Sequence, residues 1–272
     1  MIIQQPPGKD QAFAVLQDYH LELCSQFALA WGNGEFAPAD PRFALDYMGR
    51  NHDLGWPEYD SSPAMDPKTG FPYHLLDIPP EYLVDIHRKN IVRNYGFHPY
   101  TGLLSAMHML GVYRTRLGVS DFVTLDHRMG TESDVKVLQP LIDDCQRWQE
   151  EWTAKLEADS ETRDWLEPDR LKRNFTLLQI YDMLSLYFCI NPESEMKAQT
   201  FAGVPSTNGG TTDVTLVPKG DGRLTVDPWP FGVEPLRVVL SAKRLAAPID
   251  SAHEAILRAP IFQLVYTLTP AK

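Results

Sequence analysis

The stretch "LLQIYDMLSLYFC", residues 177–189, constrains the fold more than any other part of the chain. It closes a helical pattern that spans about 168–190. Asp182 stands inside it, with Leu178 and Leu186 one turn to either side. A carboxylate on such a face is costly unless something positive lies opposite, because a charge taken out of water without a partner loses its hydration. The rest of the chain therefore has to supply that partner.

Two histidines repeat the situation. Residues 10–31 read as an amphipathic helix with Phe13, Leu16, His20, Leu23, Cys24, Phe27 and Trp31 on one face. His20 is central to that face. His108 lies in "LLSAMHMLG", one turn after Leu104, on a helix predicted from Pro99 to about Leu117. Buried singly, such a histidine is by default satisfied by a carbonyl or carboxylate. Asp182 could likewise cap a neighbouring helix or pair with an arginine such as Arg173. What joins the three is that each faces inward from a different helix. A divalent cation takes imidazole and carboxylate together and is their simplest common partner.

The remaining segments are punctuated by proline and glycine. A short helix is predicted over 42–53, with Gly55 as its stop signal, followed by a long loop over 55–78. Pro79-Pro80 open a helix over about 80–93. The stretch from Thr131 is long and polar, with a capping pattern at Thr131 and Asp134, and Pro140 is expected to kink it or delay its start. After residue 200 the period changes. "GGTTDVTLVPKGDGRLTVDPWPF" predicts two strands around a Lys-Gly-Asp-Gly turn, and "PLRVVLSAKRL" and "PIFQLVYTLTP" two more, with a short helix between them. The expected fold is mainly α: a helical bundle over 1–200 and a small antiparallel β section over 201–272, packed on the same domain (α+β).

Composition narrows the functions. A net charge of −11 argues against a protein that coats nucleic acid or an acidic membrane, since both demand a positive field. It leaves room for a small anionic substrate held by a few local basic residues. The three cysteines, Cys24, Cys145 and Cys189, are far apart and form no CxxC pair. A disulfide framework or thiolate zinc knot is not expected, and a reducing cytoplasm is. The N-terminus carries no basic-then-apolar signal pattern. Phosphate-binding glycine loops, GxSxG and HExxH are absent.

The order His20, His52-Asp53, His87, His108, Asp182 resembles the HD-domain superfamily of metal-dependent phosphohydrolases over about residues 10–190. "LLQIYDMLSLYFC" and "DPWPF" further resemble a bacterial family, without established activity, that has an HD-like helical core and a C-terminal β appendage. The resemblance implies that His20, His52, Asp53 and Asp182 hold one metal, with Asp53 bridging to a second on His87 and His108. One or two divalent ions (manganese, magnesium, iron, cobalt or zinc) would activate water against a phosphate ester or nucleotide. Asp53 and His87 would take the catalytic roles. His98, in "GFHPY", is an alternative ligand to His87 or His108. Arg88, Lys89 and Trp56 are candidate substrate contacts, although Trp56 stands where many HD enzymes carry a lysine. Cys24 and Cys189 read as small core residues beside the site. His74 and His127 are expected in solvent, and His253 is too late in the pattern to count. The same donor inventory also suits a di-iron oxygenase of HD type, or a non-catalytic metal-binding regulatory protein.

Overall fold

The computed structural model describes residues 1–4, 10–116 and 132–271; His127 and Thr131 lie outside them. Two N-terminal strands, β1 (Ile2–Gln4) and β2 (Gln11–Val15), precede the helices α1 (Gln17–Ala30), α2 (Arg42–Asn51), α3 (Trp56–Ser61), α4 (Pro80–Phe97), α5 (Pro99–Arg116), α6 (Glu132–Ala158) and α7 (Pro168–Ile190). The C-terminal part holds β3 (Gln199–Pro205), β4 (Thr211–Gly220), β5 (Arg223–Asp227), β6 (Leu236–Ala246), the short helix α8 (Ala252–Arg258) and β7 (Ile261–Pro270).

The strands form one seven-stranded sheet in the order β1-β2-β6-β7-β5-β4-β3. This corrects the expectation of a mainly helical bundle with a small antiparallel appendage: the fold is α+β, built on a mixed sheet that draws strands from both ends of the chain. β5 and β7 run parallel, Arg223 opposite Thr267, while the other neighbours are antiparallel. The error lies in the first helix. "QAFAV" is a strand, and Leu16, with extended backbone (φ −66°, ψ 152°), separates it from α1. A short apolar run serves either period equally well. What decides is pairing with a distant partner, Gln11–Ala14 against Lys243–Ala246 of β6.

The inner face of the sheet carries Val238, Leu240 and Ala242 of β6 with Tyr266 and Leu268 of β7, and these join Phe27 of α1 and Phe188 of α7 in one core. A second core, under α4, α5 and α6, contains Trp56, Ile86, Met109, Leu141 and Cys145. α7 is the pivot of the first. Its Leu177, Leu178, Ile180, Tyr181, Leu184 and Phe188 are all buried, each contributing about 1.5–3 kcal/mol relative to exposure. Together they outweigh the several kcal/mol lost by desolvating the one carboxylate in their midst.

The turn between β4 and β5 is the Lys-Gly-Asp-Gly expected, with Gly220, Asp221 and Gly222 all at positive φ. Pro140 lies inside α6, which runs through it from Glu132. The three cysteines are buried and free. Among the described residues no helix is long and apolar enough to cross a membrane.

Candidate metal centre

Five of the expected ligands converge where the two cores meet. His20 sits in the first turn of α1, His52 caps the C-terminal end of α2, and Asp182 comes from the middle of α7. All are buried, as are Asp53 and His108. His20 Nε2 lies 3.1 Å from Asp182 Oδ1 and 3.4 Å from His52 Nε2, and His52 Nε2 lies 3.6 Å from the same Oδ1. Asp53 Oδ2 is 3.9 Å from His52 Nε2, and His108 Nε2 is 3.7 Å from Asp182 Oδ2. His87 lines the same cavity, its ring tilted against Trp56 at 5.8 Å.

Hydrogen bonds on the far side of each ring fix what the near side offers. His52 Nδ1–H donates to the Met48 carbonyl at 3.2 Å. The Ser185 hydroxyl donates to the Asp182 carbonyl, so its oxygen accepts from His20 Nδ1–H at 2.6 Å. When both rings are neutral, each therefore turns an unprotonated Nε2 toward the other, across 3.4 Å, with Asp182 Oδ1 beside them. Two lone pairs and an anion at this spacing demand a proton or a cation. Bonds of about 2.0–2.1 Å to one ion would place neighbouring ligand atoms about 2.9–3.4 Å apart, so the donor set fits a cation with only slight contraction.

The electrostatics carry the same message. Burial works against a charged His52, but Asp53, Asp182 and Cys24 outweigh it and raise its pKa well above the ordinary imidazole value. Burial would raise Asp182, yet hydrogen bonds from His20 and His52, made when Nε2 carries the proton that the cluster demands without a cation, hold its carboxyl well below the usual carboxylate range. Asp53 is pushed up by burial, partly opposed by His52 and His20. His108 is pushed down to about 4 by burial, against the pull of Asp182. Gln179 holds His108 Nδ1 at 2.6 Å. The Gln179 amide N–H donates to that nitrogen, so the neutral ring carries its proton on Nε2, on the side of Asp182 Oδ2, and has to release it to ligate an ion.

Several supporting residues carry no signal of their own in a single sequence. Asn90 of α4 accepts from the Gly55 N–H and donates to Asp53 Oδ1 at 2.9 Å, so it aims the second Asp53 oxygen at His52. Asn94, one turn on, donates to the His52 carbonyl at 3.3 Å. Gln179, Asp182 and Ser185 occupy one stripe of α7 at helical spacing. Two of them orient the histidines and the third meets those histidines directly. Gly55 proves to be more than a helix stop: a Cβ there would fall 2.7 Å from Asn90 Oδ1 and 2.9 Å from the Ile86 carbonyl carbon. Only glycine lets the turn lie this close to α4.

Other expected contacts lie elsewhere. Arg88 pairs with Asp144 at 2.7 Å, and Lys89 with Glu58 at 2.7 Å and Asp85 at 2.8 Å. Neither lines the cavity, whereas Trp56 does. His98 packs between Phe43 and Trp165 and accepts from the Tyr100 N–H, away from the cluster. His74 accepts from the Leu76 N–H, and His253 donates to the Ser61 carbonyl. Cys24 and Cys189 are buried near the site, and burial raises both thiols, which makes them poor nucleophiles.

Fold and site together define an α+β protein with a buried histidine–carboxylate cluster at the junction of its two cores. The chain belongs to the family described as DUF3891, proteins of unknown function, which matches residues 1–247. No curated protein and no solved structure matches it. Nothing in these comparisons supports membership of the HD superfamily, so the cluster is argued from its own chemistry.

Proposed function

We propose that the protein is a metal-dependent hydrolase of a small molecule, with His20, His52 and Asp182 as the primary ligands of a divalent cation. The observation that supports this reading best is the pair of Nδ1-anchored imidazoles facing each other across Asp182 Oδ1. A divalent cation so held would supply a water molecule acidic enough to act as a nucleophile near neutral pH. Asp53, oriented by Asn90, and His87, on the cavity wall, are the groups placed to hold or pass a proton beside it. The cavity measures about 50 Å³, far below the roughly 300–1,000 Å³ of pockets that take drug-sized ligands. A nucleotide is therefore set aside in favour of a smaller substrate.

No lysine or arginine is among the described residues that line the cavity. A phosphoryl group would find its counter-charge on the metal alone. This favours a second reading, a di-iron centre that activates oxygen, with Asp53, His87 and His108 serving the second ion. Metal analysis of the purified protein tests both. About one equivalent or more of bound metal is expected, lost at least tenfold in affinity in His20→Ala and Asp182→Asn with helical circular dichroism retained. Turnover of a panel of phosphate esters and amides with manganese, magnesium, cobalt or zinc supports hydrolysis, while bound iron with oxygen uptake supports the second reading. Metal content unaffected by both substitutions overturns the ligand assignment.

A further inference from the structure

Two polar side chains that line the cavity are not among the metal ligands. Gln17, in the first turn of α1, lines it and is 0% exposed. Both its carboxamide nitrogen and its carboxamide oxygen are without a hydrogen-bond partner among the described residues. Trp56 also lines the cavity, is 1% exposed, and its indole N–H is equally unpaired among the described residues. Buried polar groups are nearly always satisfied, and each one left open is destabilising until something pairs with it. Three open polar atoms on two residues around one cavity form a coherent set: one acceptor and two sources of N–H donors. The backbone N–H of Gln17 is already taken by Asp60 Oδ2 at 2.6 Å, which holds the residue in place without using its side chain.

The geometry points to Gln17 and Trp56 as the recognition end of this cavity, reading a small uncharged ligand that presents a donor and an acceptor side by side, such as a carboxamide, lactam or urea. The Gln17 carboxamide is self-complementary to that group: its oxygen takes the ligand's N–H and its nitrogen meets the ligand's carbonyl. Trp56, a donor only, adds a second bond to the carbonyl. The remaining walls, among them Leu75, Leu83, Met109 and Leu186, are apolar and suit a short hydrocarbon body. Charge excludes the obvious rivals at this end. An anion meets no cationic side chain here, and a cation would be drawn to Asp53 and Asp182 and leave the Gln17 oxygen and the indole unread. The inference deepens the proposed function by naming the substrate class. It rests on that reading for turnover but not for binding.

The test is ligand binding to the full chain, carrying whatever metal it purifies with, by calorimetry or ligand-observed NMR. The neutral probes are 2-pyrrolidinone and propionamide; the anionic ones are propionate and inorganic phosphate. The neutral amides are expected to bind. Gln17→Leu should weaken them about tenfold and Trp56→Phe severalfold, with metal content unchanged in Gln17→Leu. The ligand-free Gln17→Leu protein should be as stable as wild type or more so, because an unpaired amide gives way to an apolar side chain of similar size. Phosphate or propionate binding in place of the amides, undiminished amide binding in Gln17→Leu, or a lower melting temperature in that variant overturns the inference. Amides that fail to bind a protein whose metal still depends on His20 and Asp182 defeat this inference alone. Amides that bind a protein holding no metal defeat the proposed function alone.

Discussion

Replacing Gly55 by alanine probes how the turn after His52-Asp53 is held. The backbone there has φ −80° and ψ −20°, open to any residue, so the glycine is required by space and not by conformation. A Cβ would meet the Ile86 carbonyl group and Asn90 Oδ1 closer than the 3.0 Å that real Cβ atoms respect. Both neighbours belong to the buried side of α4, so the turn has to lift, by on the order of 1 Å in a close-packed interior. Lifting breaks the Gly55–Asn90 bond and pulls Asp53 from Asn90. Buried polar groups left unpaired lose about 1–3 kcal/mol each, and overpacking adds about 1–3 kcal/mol. For two such groups and the overpacking the sum is about 3–9 kcal/mol, or, at about 2 °C per kcal/mol for a chain of this size, a fall in melting temperature of about 6–18 °C. Thermal unfolding by circular dichroism reads the loss, and metal analysis shows whether Asp53 has moved. Gly96 is the control. Nothing lies within 4 Å of a Cβ there, so Gly96→Ala in α4 should be neutral or stabilise by up to about 1 kcal/mol. A Gly55→Ala protein that melts with wild type and keeps its metal refutes the close-approach argument.

Ser185→Ala removes the acceptor of His20 Nδ1–H without touching a ligand atom, and metal affinity should fall about 10–100-fold, as for other residues that orient a ligating histidine; unchanged affinity in a competition titration would count against the assigned tautomer. Metal binding should weaken with acid. The pKa of His52 is raised, so its Nε2 takes a proton as pH falls through that value, and with one proton displaced per ion the apparent affinity drops about tenfold per pH unit below it. Titrations between about pH 6 and 8 check the slope, and affinity that is flat or rises with acid contradicts it. Lys89→Ala, which removes exposed pairs with Glu58 and Asp85, should leave the melting temperature close to that of wild type and metal content alone. A marked loss of metal would instead tie Lys89 to the site.

Most of the helices were legible from apolar spacing alone. The helix over 168–190 has the expected bounds, the one at 42 begins where expected, and the one at 80 begins where its prolines placed it. The candidate site was legible for a different reason. His20, His108 and Asp182 each break an apolar stripe, and a polar group in such a place has to have company. The supports were not legible. Asn90, Asn94, Gln179 and Ser185 are unremarkable in a helix until the neighbouring helix puts a ring or a carboxylate against them. Arg88 and Lys89, which follow His87 directly, were drawn away by Asp144, Glu58 and Asp85 because a helix turns adjacent residues to different sides.

The sequence by itself determined where most of the helices run, that the C-terminal part is stranded, and that three inward-facing polar residues needed a common partner; it read β2 as helix and the α3 segment as loop. These follow from spacing and from the free energy of hiding charge, both local properties. The sheet was decided only by tertiary structure. "QAFAV" could be helix or strand until β6, more than two hundred residues away, offered it an edge. Tertiary packing also decided which atoms of the cluster face each other and which buried amides stay open. Those depend on distances between elements that no single segment encodes.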